Sequence, residues 1–193
     1  MKKILAVLLI FCMIVTLPVN GFAGAKGKKA LFIIAAKDFQ EQEFSRPFSE
    51  LSQSGVEITV ASTVSGEAVG TDGAKARVDI QLADARVDDF DAIVFIGGPG
   101  ASQYVDDPLA HTLAQEAMKK KKLVAAICMG PLILAKAGIL KGKKATVFPT
   151  LAEQLKQEGA KYSAKPVERD GRIITADGPD SAAAFGQEII KAL

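Results

Sequence analysis

The chain has 193 residues, 49% of them hydrophobic and 24% charged, with 24 Lys and Arg against 22 Asp and Glu and a formal charge of +2. This balance excludes the basic face that a nucleic-acid binder needs for phosphate contacts, and the length suits one domain with a substantial core. One His and two Cys exclude a tetrahedral Cys/His metal site as well.

Residues 1–25, MKKILAVLLIFCMIVTLPVNGFAGA, are predicted to be a secretory signal peptide: Lys2 and Lys3, an apolar run from Ile4 to Leu17, then small residues. Ala23 and Ala25 frame an A-x-A cleavage site that leaves a chain starting at Lys26, and Gly21 with Ala23 offers a cut two residues earlier. The apolar run is shorter than the ~20 residues of a membrane span. The membrane is therefore a partner only during export, and the destination is a periplasm or the medium. Loss of this segment removes two lysines and no acid, which brings the formal charge from +2 to zero. It also removes Cys12, whose neighbour Phe11 is too bulky for a lipid-modified cysteine. Cys128 is then the one thiol of the exported domain, residues 26–193, in a compartment where disulfides form.

In that domain KALFIIAA (29–36) is an apolar run of strand length, the pattern of a strand buried on both faces. EFSRPFSELSQSG places Phe44, Phe48 and Leu51 at helical spacing and closes on Gly55, and VEITVAS (56–62) is the next strand, so the three make a βαβ unit. GEAVGTDGAKARVDIQLAD, broken at Gly70 and at Asp72-Gly73, predicts a peripheral hairpin. DAIVFIGGPGA (91–101) returns to a buried strand with a glycine turn at its end. DPLAHTLAQEAMKKKK is a helix with Asp107 as N-cap and Pro108 at its first position, and its Lys119–Lys122 run is a solvated end opposing the helix dipole. LVAAIC is a strand and PLILAKAGIL a helix. KATVFP is a short strand, TLAEQLKQEGA a helix capped by Thr150 with Glu153 three residues on. VERDGRIIT is a hairpin around Asp170-Gly171, and DSAAAFGQEIIKAL is the closing helix. The sum is α/β, a doubly wound and mainly parallel central sheet.

Such a sheet binds ligands outside the carboxyl ends of its strands, and three features fall there. A strand stopping at residue 127 and a helix starting near Gly130 and Pro131 put Cys128 on a sharp turn, a nucleophile elbow. The positive end of the helix favours the thiolate there and lowers its pKa below the free value of roughly 8.5; an inert packed cysteine is the alternative. In GGPG, Gly97 and Gly98 let the main chain pass close to a ligand, and an amide there with that of Met129 would make an oxyanion hole. In QEQEF, Glu41 and Glu43 both sit at a helix start, where carboxylates ordinarily serve the dipole. One of them, if desolvated, would stay protonated and donate to a thiolate, and this bond together with the helix end and the nearby amides predicts a thiol ionised below about pH 7.

AAICMGP, FIGGPGA, FQEQEFSRPFSELSQSGVEITVAS, VFPTLAEQLKQEGAKY and IITADGPDSAAAF, in that set and over residue 29 to the C-terminus, resemble the blocks of the DJ-1/PfpI family. The resemblance implies a flavodoxin-like three-layer sandwich, a homodimer, a reactive cysteine at Cys128, a glutamate at Glu43, four residues before Pro47, and backbone donors at Gly98 and Met129. It implies no cofactor and no metal, and a small-molecule carbonyl substrate or an oxidant as partner. The peptidase-like branch carries Cys-His at the elbow, whereas this chain has Cys128-Met129, and Phe148 stands where some relatives carry a histidine. The sole His111 lies upstream on another helix and is expected to be exposed there. Glyoxalase or deglycase chemistry on α-oxoaldehydes is therefore expected first. A redox sensor or holdase using Cys128 oxidation comes second, and a cysteine peptidase or amidase is disfavoured.

Overall fold

The computed structural model of the protein describes residues 25–193. The predicted export segment, apart from Ala25, lies outside the described residues. In chain order the elements are β1 (Lys29–Ile33), β2 (Lys37–Phe39), α1 (Glu41–Gln53), β3 (Glu57–Ser62), β4 (Gly66–Gly70), β5 (Lys75–Val78), β6 (Ile80–Gln81), β7 (Ala92–Phe95), α2 (Pro108–Lys119), β8 (Leu123–Ile127), α3 (Gly130–Lys136), β9 (Lys144–Ala145), α4 (Ala152–Gln157), β10 (Lys161–Tyr162), β11 (Val167–Asp170), β12 (Ile173–Ala176) and α5 (Ala182–Ala192).

Seven strands make the central sheet in the order β11-β12-β8-β7-β1-β3-β6, parallel at every pairing except β11 with β12. The apolar runs read from the sequence form its middle. Phe32 of β1 lies between Val60 of β3 and Val94 of β7, so each such residue is removed from water on both sides. Because side chains alternate across a strand, Leu31, Ile33, Ile93, Phe95 and Val124 enter one core with Leu113, Ile133 and Leu134 of α2 and α3. Phe32, Val94, Ile96 and Ile127 enter the other with Leu51 of α1 and Phe185 and Ile189 of α5. The result is a flavodoxin-like three-layer α/β sandwich, and each fully buried Leu, Ile or Phe contributes roughly 1.5–3 kcal/mol to it.

Local signals behave as their chemistry requires. Asp107 caps α2 by accepting the Leu109 N–H at 2.8 Å, Pro108 follows it, and β11 and β12 form the hairpin whose turn holds Gly171 at φ 64°. The Lys119–Lys122 run does end α2, and Lys120 also pairs with Asp88 at 2.8 Å.

Four expectations are corrected. Thr150 does not cap a helix: it lies inside a 3-10 turn, Pro149–Leu151, and α4 starts at Ala152 with no side-chain cap, because Pro149 restrains the backbone into the tighter turn first. The KATVFP segment forms a strand only at Lys144–Ala145, paired with β10 in a separate two-stranded sheet. His111 is half-buried, with Nε2 donating to the Val105 carbonyl at 2.7 Å. The hairpin of β4 and β5 gains a third strand, β2, pairing in parallel with β4, which ties it to the segment after β1.

Candidate active site

β8 ends at Ile127 and α3 begins at Gly130, so the chain reverses within two residues. Cys128 takes the strain, at φ 61° in the left-handed region, a conformation costing an L-residue roughly 1–2 kcal/mol. Two hydrogen bonds hold it there. Its N–H donates to the Ala176 carbonyl at 2.9 Å and its carbonyl accepts the Phe148 N–H at 3.0 Å. Met129 is the N-cap residue of α3, and Gly130 and Pro131 are buried in its first turn. This is the elbow that the sequence predicts.

The glycine turn after β7 meets the elbow from the side. A Cβ on Gly97 would overlap Glu43 Oε2 and lie 2.6 Å from the Cβ of Cys128, so only a bare backbone fits between acid and thiol. Gly98 has φ 101°, and a Cβ there would sit 2.6 Å from the Asp38 carbonyl. The Gly97 carbonyl accepts the Gln40 N–H at 3.1 Å, which joins the turn to the start of α1.

Both candidate acids occupy that start, and their fates differ. Glu41 turns outward to accept from Thr71 Oγ1 at 2.9 Å and from the Asp72 N–H at 2.6 Å, anchoring the tip of the β4–β5 hairpin. Glu43 is 0% exposed. Its backbone N–H is held by the side chain of Gln40 at 2.9 Å, and Pro47, lacking an N–H, leaves the Glu43 carbonyl without its usual helical donor. Neither carboxyl oxygen completes a hydrogen bond of ordinary geometry. Its nearest polar influences are the Cys128 side chain and the Gly97 amide.

These groups open into a cavity of about 360 Å³ lined by Gln40, Glu43, Gly98, Pro99, Cys128, Met129, Phe148, Thr150, Leu151 and Pro179. No Lys, Arg or His is among them. Burial therefore dominates the electrostatics, pushing the Glu43 carboxyl up to about 7 against the pull of Cys128 and of the Gly97 amide. Burial and then the Glu43 charge push the Cys128 thiol up to about 12, while the N–H groups of Gly98 and Met129 act to lower it. The expectation of a thiol ionised below about pH 7 by the helix end, the amides and a protonated Glu43 is thus corrected, since desolvation and the charge of Glu43 outweigh the amides. The two values describe successive proton losses from one interacting pair. The first, at about 7, leaves one negative charge to be shared. That charge lies mainly on the Glu43 carboxyl, and the amides of Gly98 and Met129 support a minor form with thiolate and protonated Glu43. Among the described residues no three His, Cys, Asp or Glu side chains gather as metal ligands.

The family model of the DJ-1/PfpI family matches residues 28–192. The chain belongs to the DJ-1/PfpI family. It is 43% identical over 171 residues to an uncharacterized protein of Methanocaldococcus jannaschii, covering 87% of this chain and 83% of that one. It is 31% identical over 165 residues to Deglycase PfpI of Pyrococcus furiosus, covering 86% and 99%. The crystal structure of a ThiJ/PfpI domain protein from Brachyspira murdochii superposes with a TM-score of 0.84 at 28% identity, over 86% of this chain and 96% of that one.

Within this DJ-1/PfpI domain the structure brings Cys128, Glu43, Gly97, Gly98 and Met129 to one corner and leaves Glu41 and His111 outside the cavity lining. Sequence reasoning missed Gln40, because glutamine is not a preferred N-cap residue. It also missed the wall made by Phe148, Thr150 and Leu151. Their signal was positional, a break after a short strand at the carboxyl edge of the sheet.

Proposed function

We propose that the protein is a cofactor-independent, cysteine-dependent enzyme of glyoxalase or deglycase type acting on reactive α-oxoaldehydes. The observation that supports this most is the cation-free pair of Cys128 and fully buried Glu43 on a strained elbow. Relatives named deglycase support it at family level.

The sulfur of Cys128 adds to the aldehyde carbon, and the carbonyl electron pair moves to oxygen, held by the Gly98 and Met129 amides and protonated by Glu43. The Glu43 carboxylate then takes the proton from that carbon, giving an enediolate with its charge on the oxygen of the neighbouring carbon. Glu43 returns that proton to the neighbouring carbon while the hydroxyl proton of the first carbon passes to the second oxygen, giving a 2-hydroxy thioester, so the first carbon is oxidised and the second reduced with no outside electrons. Water cleaves the thioester, releasing the 2-hydroxy acid and the thiol. Methylglyoxal incubated with the protein should yield lactate, and Cys128→Ser should lower the rate at least ~100-fold. Equal rates for both proteins would sink the proposal.

A second reading, a redox sensor, is favoured by the unpartnered oxygens of Glu43. Two equivalents of peroxide convert the thiolate to a sulfinate, each leaving as water, and protonated Glu43 donates to the product. The mass of peroxide-treated protein, with Cys128→Ala as control, tests it. We also propose that the protein acts after export, as a homodimer. Ala25 is buried in the core, which favours the earlier of the two cuts, before Gly24. Intact mass of protein from its native host tests the cut, and sedimentation the dimer.

A further inference from the structure

We infer that Phe148 is a specificity-determining residue of this cavity, holding the apolar substituent of the substrate, so that the site prefers α-oxoaldehydes bearing a neutral aryl or branched alkyl group. The inference rests on the cavity being the substrate site of the proposed enzyme.

Phe148 is 39% exposed, whereas Phe32, Phe39, Phe95 and Phe185 are fully buried. An exposed ring on a cavity wall gives up water contact only when something apolar covers it, and that is a binding energy available to a ligand. The backbone that carries the ring is held in place. Its backbone N–H is bonded to the carbonyl of Cys128 at 3.0 Å, which ties its Cα directly to the nucleophile's residue. Pro149 behind it restricts the backbone to the extended form, observed at φ −50° and ψ 129°. On the other side the ring lies near Gly178, where an added Cβ would be in ordinary van der Waals contact with Phe148 Cδ2 at 3.5 Å. A ring whose backbone is fixed to the nucleophile's residue, on the wall of the same cavity, limits where a substituent lies once the sulfur has bonded to the aldehyde carbon.

The other walls fit the same occupant. Met129 and Leu151 extend the apolar surface, while Gln40 and Thr150 are neutral polar groups. A substituent carrying a carboxylate or phosphate would find no cation in the lining and would face Glu43. The volume, about 360 Å³, is at the small end of ligand sites, enough for one ring and two carbonyls.

The test compares phenylglyoxal with glyoxal in the full chain. The wild type should favour phenylglyoxal in kcat/KM, and Phe148→Ala should lower that preference at least ~10-fold, the scale of losing apolar contact in a pocket, with Phe148→Leu restoring most of it. The same preference is read without turnover by the alkylation rates of Cys128 with N-phenylmaleimide and N-methylmaleimide. If no dicarbonyl is consumed but the phenyl preference in alkylation collapses in Phe148→Ala, the enzyme reading fails and the role of Phe148 stands. A preference equal in wild type and Phe148→Ala, in either assay, overturns the inference, as does a native protein whose Cys128 reacts with neither maleimide.

Discussion

Burial, and then the negative charge of the Glu43 carboxyl beside it, push the Cys128 thiol up to about 12. The reactivity of Cys128 is consequently a property of two residues. Loss of the first proton from the pair, at about 7, leaves the charge mainly on the carboxyl, with a minor form in which the carboxyl keeps the remaining proton and the sulfur carries the charge. Iodoacetamide alkylation of the native protein should therefore rise through about 7 and again far above it. In Glu43→Leu the proton-sharing partner is gone, leaving a buried thiol that titrates alone. Its profile should show a single midpoint, shifted above that first step. An unshifted profile would detach Glu43 from the chemistry.

The same carboxyl makes stability depend on pH. Glu43 is raised from 4.5 to about 7 by burial, so between these values the folded state binds a proton that the unfolded state has lost. Its contribution is present below 4.5 and is lost as pH rises through about 7. The loss is on the order of 3 kcal/mol. Denaturant unfolding should show this decline for the wild type and a flatter profile for Glu43→Gln, which is expected to be the more stable protein near pH ~8. A wild type that gains stability over this range would contradict a buried, cation-free Glu43.

Gly97→Ala probes the corner where acid, thiol and main chain meet. The added Cβ would overlap Glu43 Oε2 and lie 2.6 Å from the Cys128 Cβ, so the two side chains must separate. The expected cost is roughly 1–3 kcal/mol in stability, with the first step of the alkylation profile lost. If the variant keeps the wild-type profile, the close contact through Gly97 is not what couples the pair.

Peptide hydrolysis should be negligible, because no histidine lines the cavity and Met129 cannot take the thiol proton. Met129→His places an imidazole directly after the nucleophile, and cleavage is expected to appear in that variant. Wild-type cleavage abolished by Cys128→Ser would refute the argument.

Much of this was legible in the chain itself, for local reasons. Runs such as LFI in β1, AIVF in β7 and LVAAI in β8 are apolar on both faces, which only the interior of a covered parallel sheet satisfies. Asp107 before Pro108 and the turn glycine Gly171 act within a few residues of themselves, as does the abrupt passage from Ile127 to Gly130 that raises Cys128 onto its elbow. The choice between Glu41 and Glu43 was different. Both stand in the first turn of α1, and their local sequence favours each equally; the family resemblance pointed to Glu43, and packing is what separates them. Glu41 is held by Thr71 and Asp72 of a hairpin thirty residues away, while Glu43 is buried against Gly97. The direction in which the thiol shifts belongs to the same class. A helix end acts on its own neighbours and can be read from the sequence, but desolvation and the charge of a residue eighty-five positions upstream exist only once β1, β7 and β8 lie side by side and bring their ends to one point.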